Sequence, residues 1–155
     1  MTKLDIDDDL FNHQVPKIYV LSDSRGETAN TVVLAAAAQF GKESVEIERL
    51  SNVADVQTVR DYFDKNFDPE RPTAVFHTFA DGILRREIRR ELDRRGIPSI
   101  DLLGPAVTVL STLTGEEPTH AVGATFGKYS ALCFEAQHFP DSPNRAYFPP
   151  VVLKP

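Results

Sequence analysis

The stretch IYVLSDSRGETANTVVLAAAAQF (residues 18–40) sets the fold of this chain. Its opening residues, together with Lys17, form an apolar run rich in β-forming side chains, which predicts a buried strand over 17–22. Apolar residues then recur at helical spacing as far as Phe40, and Gly41 is a stop signal, so a helix follows the strand. A strand that leads directly into a helix is the beginning of a βαβ unit.

The same alternation continues along the chain. Further strands are predicted over 44–50, 73–79 and 97–102, and further helices over 53–67, over 83–95 and after Gly104-Pro105. Strands alternating with helices of this length predict an α/β fold. We expect a three-layer sandwich with a mainly parallel sheet, wound in the flavodoxin-like or the Rossmann-like order.

The two ends of the chain differ from this regular part. Residues 1–15 carry clustered aspartates without periodicity and are expected to form an acidic flexible tail. The α/β domain is assigned to 16–138, with one more possible helix over 129–138. Five of the eleven prolines fall after residue 139, so 139–155 is interpreted as a Pro-rich tail or linker.

Composition restricts the class of protein. A single cysteine, Cys133, excludes an internal disulfide and fits a reducing compartment. The acidic N-terminus lacks the order of a signal peptide, and no apolar run approaches the ~18–20 residues of a membrane span. We therefore expect a soluble, cytoplasmic protein without a membrane partner. The net charge of -6 also counts against nonspecific binding of nucleic acid.

The turn after the first strand is the best-marked candidate site, because ligands bind beyond the carboxyl ends of the strands in open parallel sheets. Ser24 and Glu27 have the spacing of a capping box, and Gly26 would let a ligand approach the backbone closely. Free N–H groups and the helix dipole favour an anion. The alternative is that these residues only begin a helix. The predicted anion-binding residues are Ser22, Asp23, Ser24, Arg25, Gly26, Glu27 and Thr28.

Two other predicted loops, 77–81 and 101–105, lie at the same edge of the sheet. They supply the expected rim of the site, which consists of His77, Thr78, Asp81, Asp101 and Gly104. His77 is equally compatible with a structural role. None of the four histidines has metal-ligand spacing with another, so no metal is expected, and no catalytic residue is assigned.

Segment 85–95 carries six arginines against three acidic residues. Leu84, Ile88 and Leu92 form its apolar stripe, and Glu91 and Arg95 are spaced as an i,i+4 pair. Three of the other arginines, Arg86, Arg90 and Arg94, align on one helix face without acidic partners at that spacing. This face is either solvated or a docking surface for an acidic or phosphorylated partner.

The segment GATFGKYS (123–130) is close to a phosphate-binding P-loop but does not match it. Its two glycines are one residue too close together, and Tyr129 stands where the magnesium-binding hydroxyl is required. We expect a flexible turn before a helix here, and a packed rather than reactive Cys133 in that helix.

Several of these segments together resemble one known family. SDSRGETA (22–29) and GIPSIDLLGP (96–105), supported by VEIERL (45–50) and ALCFEAQH (131–138), are similar to the kinase–pyrophosphorylase regulators of phosphoenolpyruvate synthase and pyruvate, phosphate dikinase. The resemblance spans roughly 17–138. It implies an enzyme that phosphorylates a threonine of its target using ADP. It also implies removal of that phosphate with inorganic phosphate, releasing pyrophosphate, and a homodimeric state.

The departures from that family shape the expected function. Family members continue into a P-loop domain after the region matched by His138, whereas this sequence ends at Pro155. Arg25 stands where the family usually has Thr, and Gly82 where it usually has Pro. We expect the N-terminal domain of a bifunctional kinase and pyrophosphorylase, supplying an anion-binding turn and partner contacts.

On this interpretation ADP and phosphate are cofactors of the full-length family, and none is expected for this chain alone. The alternative is a stand-alone, non-catalytic module that binds a phosphate-bearing ligand or a protein. A third possibility is a small-molecule enzyme on a flavodoxin-like sheet, which no residues in the sequence support.

Overall fold

The computed structural model describes residues 14–41 and 44–122. Strands and helices alternate there as β1 (Lys17–Ser22), α1 (Glu27–Ala37), β2 (Glu46–Leu50), α2 (Val56–Asn66), β3 (Thr73–Thr78), α3 (Gly82–Arg94), β4 (Ser99–Asp101) and α4 (Gly104–Thr114). The predicted elements are confirmed in type and order, with boundaries that differ by at most three residues. The expected helix at 129–138 and both tails lie outside the described residues.

All four strands are parallel, in the order β2-β1-β3-β4. This is the flavodoxin-like rather than the Rossmann-like order, because β3 lies beside β1 on the side opposite β2. Leu21 is in register with Leu50 on one side and with His77 on the other. The winding reverses between β1 and β3, so their carboxyl ends form the switch point at which such sheets bind ligands.

Helices cover both faces of the sheet, which confirms the three-layer arrangement. Tyr19 and Leu21 of β1 lie in the core formed with α2 and α3, and the Tyr19 ring packs edge-on against Phe63 at 4.9 Å between centroids. The alternate residue Val20 packs on the other face with Ala29 and Val33 of α1. This alternation follows from the period of two in a strand. No helix within 14–41 and 44–122 is long and apolar enough to cross a membrane.

A buried carboxylate joins α2 to α3. The Glu91 side chain is only 2% exposed, and its two oxygens accept hydrogen bonds from Arg60 (3.0 Å), Arg94 (2.6 Å) and Arg95 (2.7 Å). Arg95 also reaches Asp64 of α2 at 2.6 Å. The predicted Glu91–Arg95 pair is thus confirmed. Arg94 has no acidic partner at i,i+4 spacing, as predicted, but it pairs with Glu91 at i,i+3 spacing, which the sequence analysis did not consider.

The charge of Glu91 is stabilised by its neighbours. Burial by itself raises the pKa of this carboxyl, but the hydrogen bonds from Arg94, Arg95 and Arg60 outweigh that effect and lower the pKa from 4.5 to about 2. A group whose pKa is lower in the folded state contributes stability above its unfolded pKa. That contribution is lost as the pH falls toward the folded value.

Replacing Glu91 tests this network. Glu91→Gln should lower the free energy of unfolding at pH 7 by about 1–3 kcal/mol, because three guanidinium groups lose a charged acceptor. It should also reduce the acid dependence of stability between pH 4.5 and pH 2, the interval set by the two pKa values. Urea unfolding of both proteins across that interval is the measurement. Glu87→Gln is the matched control, because Glu87 is an exposed neighbour of Glu91. If the free energy of unfolding depended on pH in the same way for wild type and Glu91→Gln, the pKa assigned to Glu91 would be contradicted.

Candidate functional site

Two hydroxyl groups meet where β1 and β3 end. Ser22 and Thr78 are in register as the last residues of these strands. Thr78 Oγ1 donates to Ser22 Oγ at 3.2 Å, and the backbone N–H of Ser24 donates to the same oxygen at 3.1 Å. Ser22 is 1% exposed, so its hydroxyl is a buried hub that fixes the path of the turn beyond β1.

The turn is tied to neighbouring loops as well. The Asp23 carboxylate accepts a hydrogen bond from the Ala80 N–H at 2.7 Å, which joins the loops after β1 and β3. The carbonyl oxygen of Ala80 lies 3.0 Å from Nδ1 of His120. The segment after α4 therefore closes over the ends of the strands.

Helix α1 begins later than the predicted capping box requires. Gly26 is the residue before the helix and has a left-handed conformation, with φ of 75°, and no side chain caps the N-terminus. The Ser24 hydroxyl lies 3.4 Å from Ser22 Oγ instead, and Glu27 lies 3.9 Å from Arg25. The capping box is therefore wrong, because Glu27 is the first residue of the helix rather than the third. The first-turn N–H groups are left without a side-chain acceptor.

Arg49 is a cation near this turn that the sequence analysis missed. A Cβ atom on Gly26 would lie 3.0 Å from Cδ of Arg49 and 3.4 Å from Cγ1 of Val20, its partner in the register of β1 and β2. Arg49 is two residues from Ile47, which packs on the α1 face of the sheet. The alternation within 44–50 was thus a usable signal for placing Arg49 beside the turn.

An open cleft of about 350 Å³ lies against these groups. One side is polar and contains Asp23, Ser24, Thr28 and Thr78. Another side is α4, whose Val107 and Leu110 give it an apolar wall, and the segment 116–121 forms the remaining border, including Glu116, Glu117 and His120. This arrangement suits a ligand with a polar group at the strand ends and an apolar or aromatic body along α4. The residues of α4 that line it are Val107, Leu110, Ser111 and Thr114.

The predicted rim residues divide between the cleft and the scaffold. Only Thr78 lines the cleft. Asp81 caps α3 by accepting a hydrogen bond from the Ile83 N–H at 2.7 Å. Asp101 accepts from the N–H of Gly104 at 2.8 Å at the start of α4, and it forms an ion pair with Arg85 at 3.2 Å.

His77 faces the α2–α3 core rather than the cleft. The residue is 1% exposed, and its ring packs 5.6 Å from the Phe79 ring. Burial, opposed by the charge of Asp101, lowers the pKa of this histidine, so the ring is neutral at pH 7. Neither ring nitrogen has a hydrogen-bond partner among the described residues, and the nearest carboxylate oxygen, on Asp101, is 4.0 Å away.

Within the described part of the chain, no group of three or more His, Cys, Asp or Glu side chains could hold a metal ion. The P-loop-like segment 123–130 and Cys133 lie outside the described residues. Nothing in the structure therefore bears on those two predictions.

Comparison with known proteins gives a consistent result. The family model described as kinase/pyrophosphorylase matches residues 18–135. A protein of Bdellovibrio bacteriovorus, provisionally named a pyruvate, phosphate dikinase regulatory protein, is 39% identical over 69% of this chain and 37% of its own length. Similarly named proteins of Halalkalibacterium halodurans and Trichlorobacter lovleyi are 32% and 33% identical, over 73% and 83% of this chain. The chain spans about two fifths of the first two relatives and half of the third.

The left-handed turn can be tested by paired glycine substitutions. Gly26→Ala should destabilise the protein by about 1–2 kcal/mol through its positive φ, and by more through the contact with Arg49. Gly96→Ala is the matched control, since Gly96 has φ of 69° and nothing within 4 Å of the added carbon. Chemical unfolding of both variants isolates the packing contribution. Equal losses of stability would contradict a turn packed closely on Arg49.

Proposed function

This chain belongs to the kinase/pyrophosphorylase family, and from that premise we propose that its cleft holds a phosphate-bearing ligand of the family's reaction. The whole protein would act on pyruvate, phosphate dikinase or phosphoenolpyruvate synthase. It would transfer a phosphoryl group from ADP to a threonine of the target and remove it with inorganic phosphate, releasing pyrophosphate. The described domain contributes the ligand cleft to that activity.

The observation that carries this proposal is the convergence of donors at the switch point. The hydroxyls of Ser24 and Thr28 line the cleft, and α1 begins beside them with uncapped N–H groups. Thr78 also lines the cleft, but its O–H donates to Ser22. Phosphate oxygens are strong acceptors, and a helix N-terminus supplies both N–H donors and a favourable dipole. Gly26 does not line the cleft itself, and its left-handed conformation shapes the turn that leads into α1.

The charges around the turn support binding through neutral donors more than through cations. Arg25 is opposed by Glu27, with which it forms a long ion pair of 3.9 Å. The Asp23 carboxylate is already engaged by the Ala80 N–H. An anion would therefore be held mainly by hydroxyls and backbone N–H groups, which favours a ligand that also contacts the apolar wall of α4. A nucleoside diphosphate meets this requirement better than inorganic phosphate does.

The described cleft does not by itself supply what phosphoryl transfer requires. Charge on a transferred phosphoryl group is neutralised by lysine, arginine and magnesium in the enzymes that move it. No lysine lines the described cleft, and Arg25 is exposed over 83% of its side chain. We therefore propose that this domain binds and positions the ligand and that the transfer itself uses further groups.

Ligand-dependent melting tests the proposal. ADP, pyrophosphate and phosphate should each raise the melting temperature as ln(1 + [L]/Kd), with ADP acting at the lowest concentration. Thr28→Val should weaken binding roughly 10- to 100-fold, the effect of losing one hydrogen bond to a charged group. Arg25→Ala should weaken it less and leave the unliganded protein as stable as before.

Thr73→Val is the matched control for this experiment. Thr73 is the first residue of β3, at the end of the strand away from the cleft, and its hydroxyl donates to the Arg71 carbonyl. Melting curves that none of the three ligands moves, or equal losses of ligand effect in Thr73→Val and Thr28→Val, would refute the cleft as the binding site.

A further inference from the structure

A second concavity, of about 410 Å³, lies between α2 and α3. It is lined by Val56, Arg60, Glu87, Arg90, Glu91 and Arg94 and shares no lining residue with the ligand cleft. We call it the arginine concavity. The two sites are on different parts of the domain, because the cleft lies beyond the ends of β1 and β3.

The Glu91 carboxylate holds two arginines of the concavity in place. Glu91, at the base, accepts hydrogen bonds from Nε of Arg60 at 3.0 Å and from Nη2 of Arg94 at 2.6 Å. The side chains of Arg60 and Arg94 are nevertheless 43% and 67% exposed. A guanidinium has five N–H donors in a rigid fork, so each arginine is anchored on one edge and keeps donors that face outward. Such groups lose little side-chain freedom when they bind an anion.

Arg90 needs a different explanation. It is exposed, lines the concavity, and forms no ion pair within 4.0 Å among the described side chains. Arg86, one helical turn earlier, is likewise exposed and unpaired in the described part of the chain. The network around Glu91 accounts for Arg60, Arg94 and Arg95 as structural groups. That network does not explain why unpaired arginines lie beside it in a chain whose net charge is -6.

We propose that the arginine concavity is a docking site for an acidic, extended segment of a partner protein. Arg90 and Arg94 line it, and Arg86 extends their row beyond the concavity at the same spacing of four residues, which is about 6 Å along a helix. Alternate side chains of an extended chain are about 6.7 Å apart, so carboxylates at every second residue match this row. Guanidinium groups bind carboxylates in paired hydrogen bonds, and Val56 adds an apolar contact at the floor.

The spacing argument favours a peptide over other anions. A small anion would meet only part of the row of arginines, whereas a segment with alternating carboxylates meets all of it. Nucleic acid is disfavoured because the chain as a whole is acidic. The proposal does not depend on the ligand cleft, so either can fail without the other.

Binding of a labelled peptide tests the site. The probe is a fluorescent peptide with Glu at alternate positions, and a peptide with Gln at those positions is its control. Fluorescence anisotropy should show saturable binding of the Glu peptide that weakens with added salt. Arg90→Gln should weaken it about tenfold, the effect of one charge-assisted hydrogen bond, and Arg90→Lys should restore part of the loss.

Arg89→Gln is the matched control, because Arg89 is an exposed arginine of the same helix that does not line the concavity. It should change binding less than twofold, and Thr78→Val in the ligand cleft should leave binding unchanged. Equal losses in Arg89→Gln and Arg90→Gln, equal binding of the Gln peptide, or no saturable binding would overturn the proposal. Tighter binding of a single-stranded oligonucleotide than of the Glu peptide would overturn it too, by identifying a different occupant.

Discussion

The buried hydroxyl of Ser22 is the constraint on which the site depends. It accepts hydrogen bonds from Thr78 and from the N–H of Ser24, while the Ser22 carbonyl accepts from the Val53 N–H at 2.9 Å. One residue at the end of β1 is thus joined to β3, to its own turn and to the segment after β2. The turn can leave the sheet only in the direction that brings Gly26 into its left-handed conformation and begins α1 at Glu27. The open N-terminus of α1 is a consequence of this arrangement.

The domain keeps its polar groups in two separate systems. At the carboxyl ends of the strands, hydroxyls and backbone N–H groups surround the cleft together with the carboxylates of Asp23, Glu116 and Glu117. Between α2 and α3, buried Glu91 gathers arginines and fixes the two helices together. Neutral donors suit a ligand that must bind and leave, whereas fixed guanidinium groups suit recognition of a charged surface. If both proposals hold, this separation lets one small domain bind a ligand and a partner independently.

The sequence predicted the elements well because their signals are local. Apolar periodicity and the glycines that end helices located every strand and helix in the described residues to within three positions. The strand order was left open between two windings, because it depends on pairing between distant segments. The capping box failed for a related reason. Ser24 and Glu27 have the right spacing. However, Ser22 is bonded to Thr78 of β3, and the Ser24 hydroxyl lies beside Ser22 instead of capping the helix. The sequence also located His77 correctly near the carboxyl end of β3. It did not show that the side chain faces the α2–α3 core rather than the cleft.

The central claim is that the turn between β1 and α1 receives a phosphate-bearing ligand through its backbone. The most direct test is a titration of ¹⁵N-labelled protein with ADP, followed by amide chemical shifts. The account predicts the largest saturable shifts at the N–H groups of Gly26, Glu27 and Thr28, with smaller ones near Thr78. Saturable shifts confined to α3, or none at the turn at saturating ADP, would contradict it.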